Sequence, residues 1–318
     1  MTHNSGLARF HWRAVTALAL TAVPVFLLVQ NSAAQNAANA ARGVTSGPSD
    51  KDARTYDKHD FTGLWARNPG PFKQPACPEC RDRGPGYGFL GDVPPRTPEG
   101  ERKFQMNKPT KGYQPGSEQA NAHPEVDIGY RRSTEAALSN DPEQFCEPLG
   151  LMRLIAFSGG NAAMQIIQNK EIIAQKFEWT WDNREVWTDG RALPNVDDYL
   201  PRFNGYSVGK WEGDTLVVTT VGLDDRQWLD AFGYPISEKA TLEERWTRPS
   251  PNRLRIEMTL TDPAMYTKPW KASPKVWALI PKEAMSIGGW SGILEDRCVP
   301  SDNAQYSSIE DRASGVKK

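Results

Sequence analysis

The sequence predicts a mostly β protein. It reads as an antiparallel meander, barrel-like or a strongly curled sheet, with a long irregular Pro-rich N-terminal arm. Two observations carry this. After Cys146, short segments of alternating apolar and polar residues follow one another, separated by turn signals. Between Ala66 and Gly150, by contrast, the chain holds 13 of its 25 prolines and many glycines. Such density forbids long sheet or helix.

The elements follow in chain order. Arg9 and Arg13 precede an uncharged run from Ala14 to Val29, and Ser32-Ala33-Ala34 supplies small residues for a cut. This is the pattern of a secretory signal peptide over 1–34, with an uncleaved anchor as the competing reading. The expected location is therefore periplasmic or secreted, without stable membrane insertion. Residues 35–58 read as a disordered leader, and 59–298 as a single β domain that includes the Pro-rich arm 66–150. Residues 299–318 read as a disordered tail.

A first strand is expected within Asp60-Phe61-Thr62-Gly63-Leu64-Trp65. In the arm, Thr97 caps a short helix that has Pro98 in its first turn and Glu99 at its positive end. A second helical piece is expected around Ser133 to Leu138. Met164–Gln168 and Glu171–Trp179 form a hairpin about Asn169-Lys170, which places Phe177, Trp179 and Trp181 on one strand face. Asp182-Asn183 turns the chain into Arg184–Thr188. Gly205–Glu212 and Thr215–Val221 meet at Gly213-Asp214, while Ala240–Thr247 and Arg253–Thr261 flank a Pro-Ser-Pro-Asn turn. A last strand spans Trp270 to Ile280. Alternation is clearest where Leu254, Ile256, Met258 and Leu260 share one face and Arg253, Arg255, Glu257 and Thr259 share the other.

Four cysteines, Cys77, Cys80, Cys146 and Cys298, suit two disulfides in an oxidising compartment, and Cys77–Cys80 with Cys146–Cys298 is the favoured pairing. Zinc would need a second ligand pair at knuckle spacing, and Arg81 stands where a c-type haem needs His.

Downstream of the signal only His59 and His123 remain, which argues against a multi-His metal site. There is no Gly-x-Ser-x-Gly elbow, phosphate loop or dinucleotide fingerprint. No cofactor is expected. Lys and Arg are scattered and the formal net charge is −1, so no nucleic-acid footprint appears.

Carboxylates and aromatics remain. Glu243, Arg245, Arg255 and Glu257 form an ionic cluster if their faces point inward, and weak cross-strand pairs if outward; outward is favoured. Asp189 and Arg191 flank a turn glycine. The chain has 11 Trp, several in expected strands, and these suit core packing or a pocket that stacks a flat ligand.

The sequence also resembles a family of secreted bacterial proteins without an assigned reaction. The resemblance lies in Asp60–Trp65, Thr97-Pro98-Glu99-Gly100, Cys146–Gly150 with Arg153, and Asp189-Gly190-Arg191. It continues in Gly205–Val218, Trp228-Leu229-Asp230, Glu244-Arg245, and Asp262-Pro263 with Tyr266, Pro269 and Trp270. More faintly, Gly63-Leu64-Trp65 resembles the Gly-x-Trp element of calycins, which implies a ligand-binding barrel.

The expected function is binding of a small apolar or aromatic molecule in a Trp-lined pocket built from Trp179, Trp181, Trp211, Trp246, Tyr206 and Arg191. One alternative is a cofactor-free lyase, isomerase or hydrolase that uses Glu257, Tyr266, Arg245 and Asp189 for acid–base work. The other is a structural or interaction module.

Overall fold

The computed structural model describes residues 55–67, 89, 93–110, 133–156, 163–280, 292–293 and 298–299. The expected signal peptide, most of the leader, Cys77, Cys80, His123 and the tail beyond 299 lie outside the described residues.

Nine strands close into a barrel. β1 (Gly63–Ala66) pairs with β2 (Ala163–Gln168), and β3 (Ile172–Phe177) and β4 (Asn183–Trp187) continue the antiparallel series. β5 (Tyr206–Glu212), β6 (Thr215–Val221), β7 (Thr241–Ser250) and β8 (Arg253–Thr261) form a second antiparallel series. β10 (Lys275–Leu279) then pairs with both β8 and β1, so the sheet closes on itself. Closure leaves no long unpaired edge.

Three details depart from a plain meander. β4 and β5 run parallel, paired only at Val186–Ser207 and Trp187–Val208. The Asp189-Gly190 turn is not followed by alternating residues, so no hairpin return forms there. Residues 188–205 instead run to the opposite end of the barrel before β5 begins. The expected strand Trp270–Ile280 is split into β9 (Trp270–Lys271) and β10, because Pro274 has no N–H to give to a ladder. Trp179 and Trp181 are not strand residues. They form a 3-10 turn between β3 and β4, closed by the Phe177 N–H donating to the Asp182 carbonyl.

Inside the barrel lie Leu254, Ile256, Met258 and Leu260 of β8, Leu242 and Trp246 of β7, and Leu216 and Val218 of β6, all fully buried. Each such side chain contributes about 1.5–3 kcal/mol relative to exposure. Outward-facing Glu243, Arg245, Arg255 and Glu257 stay partly solvated, as the alternation requires, while outward Arg253 is buried.

One end of the barrel is plugged. The β6–β7 connection, 222–240, exposes only Asp225, Arg226, Glu238 and Lys239; Leu223, Leu229, Phe232, Tyr234 and Ile236 are buried. Over it packs α1 (Pro98–Met106), whose cap Thr97 accepts from the Gly100 N–H and whose Phe104 ring meets Tyr234 at 4.8 Å. Gly100 permits this approach, since a Cβ there would sit 2.1 Å from the Met265 carbonyl oxygen. A second short helix, α2 (Leu151–Ala156), is buried along its whole length.

The expected Ser133–Leu138 helix is reduced to a 3-10 turn at Ala136–Leu138. Cys146 is disulfide-bonded to Cys298, 152 residues away, and ties the arm to the C-terminal segment. Replacing both cysteines with Ser should lower the unfolding free energy by about 2–5 kcal/mol while the β-sheet circular dichroism persists. Urea melts of the oxidised protein and the double variant check this.

Candidate functional site

The barrel interior is crossed by one polar belt. Arg184 on β4 is buried and uses every N–H of its guanidinium. Nε donates to Ser207 Oγ at 3.0 Å, Nη1 to Gln175 Oε1 at 3.0 Å and Glu244 Oε1 at 3.2 Å, and Nη2 to Thr220 Oγ1 at 2.8 Å and to Glu244 Oε2. Trp246 Nε1 adds a hydrogen bond to Glu244 Oε1 at 3.1 Å. Five neighbouring strands each contribute a side chain, and the belt fills the middle of the barrel. A fully satisfied ion pair of this kind stabilises little over an apolar core, but breaking one half is costly. Arg184→Met should therefore destabilise by about 3–5 kcal/mol, and adding Glu244→Leu should recover part of that loss. A double-mutant cycle by denaturant titration measures it.

This belt disperses the residues expected to line one pocket. Trp246 is fully buried against Glu244, so it offers no face to a ligand. Trp179 and Trp181 sit in the turn at the plugged end, with Lys176 Nζ 4.5 Å from the Trp181 ring. Tyr206 and Arg191 lie on the outer wall beside the parallel seam. There Arg191 stacks 3.6 Å over Trp187, holds Asp189 through Nη2 at 2.6 Å, and donates to the Tyr206 hydroxyl at 3.2 Å. The Arg191 hydrogen bonds hold the Asp189 carboxyl below the usual carboxylate range. The structure thus brings Asp189, Arg191 and Tyr206 together, as a surface cluster. Of the expected pocket set, Trp211 alone stands at the open end.

The acid–base set is likewise separated. Glu257 pairs with Arg255 at 3.2 Å and Arg245 with Glu212 at 2.9 Å, both on the outer wall and partly exposed. Their strand alternation directs them away from Leu254–Leu260, on the outward side that was the favoured expectation, and they form no inward ionic cluster. Tyr266 is in the plug, where its hydroxyl donates to the Pro235 carbonyl at 2.8 Å and burial raises its pKa well above normal.

The plug holds a carboxylate that pattern reasoning passed over. Asp230 is fully buried, accepting from the Phe232 N–H at 2.9 Å and the Phe89 N–H at 3.2 Å. Desolvation pushes its pKa up to about 7 against these hydrogen bonds and the charge of Arg153. Arg153 itself is buried and clasps Asp141 through two hydrogen bonds. A folded-state pKa above the unfolded value means the native state holds the proton longer, so this group favours folding least above pH 7 and most below about 4. Difference infrared spectra should show a protonated carboxyl persisting to near neutral pH, absent in Asp230→Asn.

At the opposite end, residues 55–61 form a strap over the barrel mouth. Gln168 clamps it, accepting from the Phe61 N–H at 3.0 Å and donating to the His59 carbonyl at 2.6 Å. Tyr56 donates to the Arg248 carbonyl at 3.1 Å, and Lys58 to Asp214 at 2.5 Å. A turn at 57–60, closed by the Asp60 N–H donating to the Asp57 carbonyl at 3.3 Å, brings the rings of His59 and Phe61 to Trp211. His59 lies 4.1 Å from Trp211, and Phe61 lies 5.5 Å from it.

Beside this aromatic ledge opens a cleft of about 390 Å³, lined by Asp57, His59, Asp60, Gln168, Asn169, Lys170, Ile173, Thr188 and Trp211. His59 is the residue sequence reasoning missed: it stood at the first position of the expected β domain and was weighed only as a metal ligand. Among the described residues no group of His, Cys, Asp and Glu is arranged to hold a metal ion, and no helix is long and apolar enough to cross a membrane.

No family model matches this chain, and no curated protein or solved structure matches it either.

Proposed function

We propose that this protein binds a small molecule with one flat, weakly polar face in the cleft at the barrel mouth. The observation that supports this most directly is the half-buried Trp211 indole, paired with His59 at the edge of that cleft. The other large tryptophans of the barrel, Trp65, Trp246, Trp270 and Trp277, are spent on the core. A cleft of a few hundred cubic ångströms suits a small ligand, and the indole at its edge offers a flat stacking face among polar neighbours.

The closed barrel is compatible with the likeness to calycins, although the parallel β4–β5 seam departs from an uninterrupted meander. Family membership in the secreted group that the sequence resembles remains part of this proposal, as does export itself. The Cys146–Cys298 disulfide fits an oxidising compartment.

The acid–base enzyme loses support, because Glu257 on the outer wall and Tyr266 in the plug cannot meet around one substrate. A purely structural module accounts for Trp211 as packing on Phe61 but leaves the cleft beside it without a role.

A titration of intrinsic fluorescence against a library of small aromatic and lipophilic molecules tests the reading. Quenching should belong to Trp211 and weaken at least about tenfold in apparent affinity in Trp211→Leu, equivalent to roughly 1.4 kcal/mol. Quenching that survives Trp211→Leu but disappears on altering the Trp187–Arg191 cluster would move the site elsewhere.

A further inference from the structure

We infer that the ligand of the mouth cleft is a neutral saccharide, held by its ring face on the Trp211–His59 ledge and by its hydroxyls on the surrounding side chains. This rests on the reading of the cleft as a binding site and adds the chemical class of what it takes.

A hydroxyl group both donates and accepts, so a polyhydroxylated ligand needs both kinds of partner around it. The cleft lining supplies them in alternation. Asp57 and Asp60 are acceptors. Each spends Oδ1 on a local backbone N–H, His59 N at 2.8 Å and Thr62 N at 2.8 Å, which fixes the carboxylate, while Oδ2 takes no hydrogen bond among the described residues. Asn169 is fixed in the same way. Its Oδ1 accepts from the N–H groups of Glu171 at 2.8 Å and Ile172 at 2.9 Å, which leaves the two Nδ2 hydrogens as donors. Lys170 Nζ is a further donor. Thr188 Oγ1 donates to the Lys170 carbonyl at 3.1 Å and keeps its lone pairs. The His59 Nε2–H is directed to the Gly213 carbonyl at 2.9 Å, so Nδ1 is an acceptor in the neutral ring.

Both signs of charge meet at the cleft. Two carboxylates and one ammonium line the cleft, and the neighbouring Lys58 and Asp214 neutralise each other. An anion would meet the carboxylates, and a cation would meet Lys170. A ligand of hydroxyls uses all three. The aromatic ledge completes the match, because one side of a pyranose ring presents C–H groups that pack on an indole. The cleft is also open to solvent along one side, as a shallow site for a polar ring would be, whereas a lipophilic ligand would need enclosure.

The test is a saturation-transfer NMR and titration series on the full oxidised chain. Glucose, galactose, mannose, N-acetylglucosamine, cellobiose and maltotriose are the saccharide probes; indole and phenol are aromatic probes; benzyltrimethylammonium is a cationic one. The expected result is binding of at least one saccharide, abolished in Trp211→Ala and weakened at least about tenfold in Lys170→Met and in Asp60→Asn. Thermal melts confirm that each variant is folded, and Lys170→Met keeps the test open if Asp60→Asn is not. Binding of an aromatic or cationic probe through Trp211 without any saccharide overturns this inference and leaves the cleft as a binding site. No binding of any probe overturns both. Saccharide binding indifferent to Trp211 and Lys170 also overturns the assignment to this cleft.

Discussion

The Arg184–Glu244 pair is the constraint around which the barrel is arranged. A guanidinium taken out of water has five N–H groups to satisfy, and an unpaired buried charge costs several kcal/mol. β3, β4, β5, β6 and β7 must therefore present Gln175, Arg184, Ser207, Thr220 and Glu244 at one level. A one-residue slip of any of these strands would turn its polar group to the outside and break the belt. The seam where β4 meets β5 has only two paired positions, and Arg184 spans it from within. Sparse backbone pairing at this seam is thus backed by a dense side-chain network.

The belt also divides the molecule into unlike ends. Below it the β6–β7 connection turns inward, and 222–237 is buried apart from Asp225 and Arg226 although it has no regular structure. Buried irregular backbone must find partners for its N–H and C=O groups. Asp230 and Asp262 supply them: Asp230 accepts from Phe232 and Phe89, while Asp262 accepts from the N–H and hydroxyl of Ser237, each at 2.7 Å. Both carboxylates are raised in pKa by burial, and so the plug holds its loop at the expense of charge solvation. Asp230 resembles a catalytic carboxylate in its pKa alone. Its oxygens already serve the backbone, which identifies it as a loop organiser.

Much of the wall was legible in the sequence because strand alternation reports burial directly. Thr215–Val221 and Arg253–Thr261 begin and end where their patterns do, and Thr97 marks the helix start. Turn chemistry was the weaker guide. Trp179 and Trp181 continue the alternation of β3 in sequence, yet the chain has already left the strand, since the hydrogen bond from Phe177 to Asp182 closes the turn around them. The parallel seam was hidden because nothing in Val186 or Ser207 records the direction of a neighbour. The interior belt was half visible. Glu244 shares a strand face with Trp246 by alternation, but Arg184 is 23 and 36 places from its hydroxyl partners Ser207 and Thr220, and no local pattern links them. The mouth was hidden for a different reason: His59 gains its meaning only when the strap crosses over Trp211.

That crossing is why the proposed site lies at the mouth, where the cleft opens beside Trp211. A ligand in the middle would have to displace the Arg184 belt, and one at the plugged end would have to displace a packed loop. At the mouth the strand ends are rigid, being continuous with the closed sheet, while the strap is held by side chains that remain half exposed. Lys58 and Asp214 are 52% and 60% exposed, so their ion pair is worth little in water. The Gln168 clamp and the His59–Gly213 contact involve few atoms. A rigid floor under a lightly tied cover is an arrangement in which a ring can enter beside Trp211 without any cost to the core.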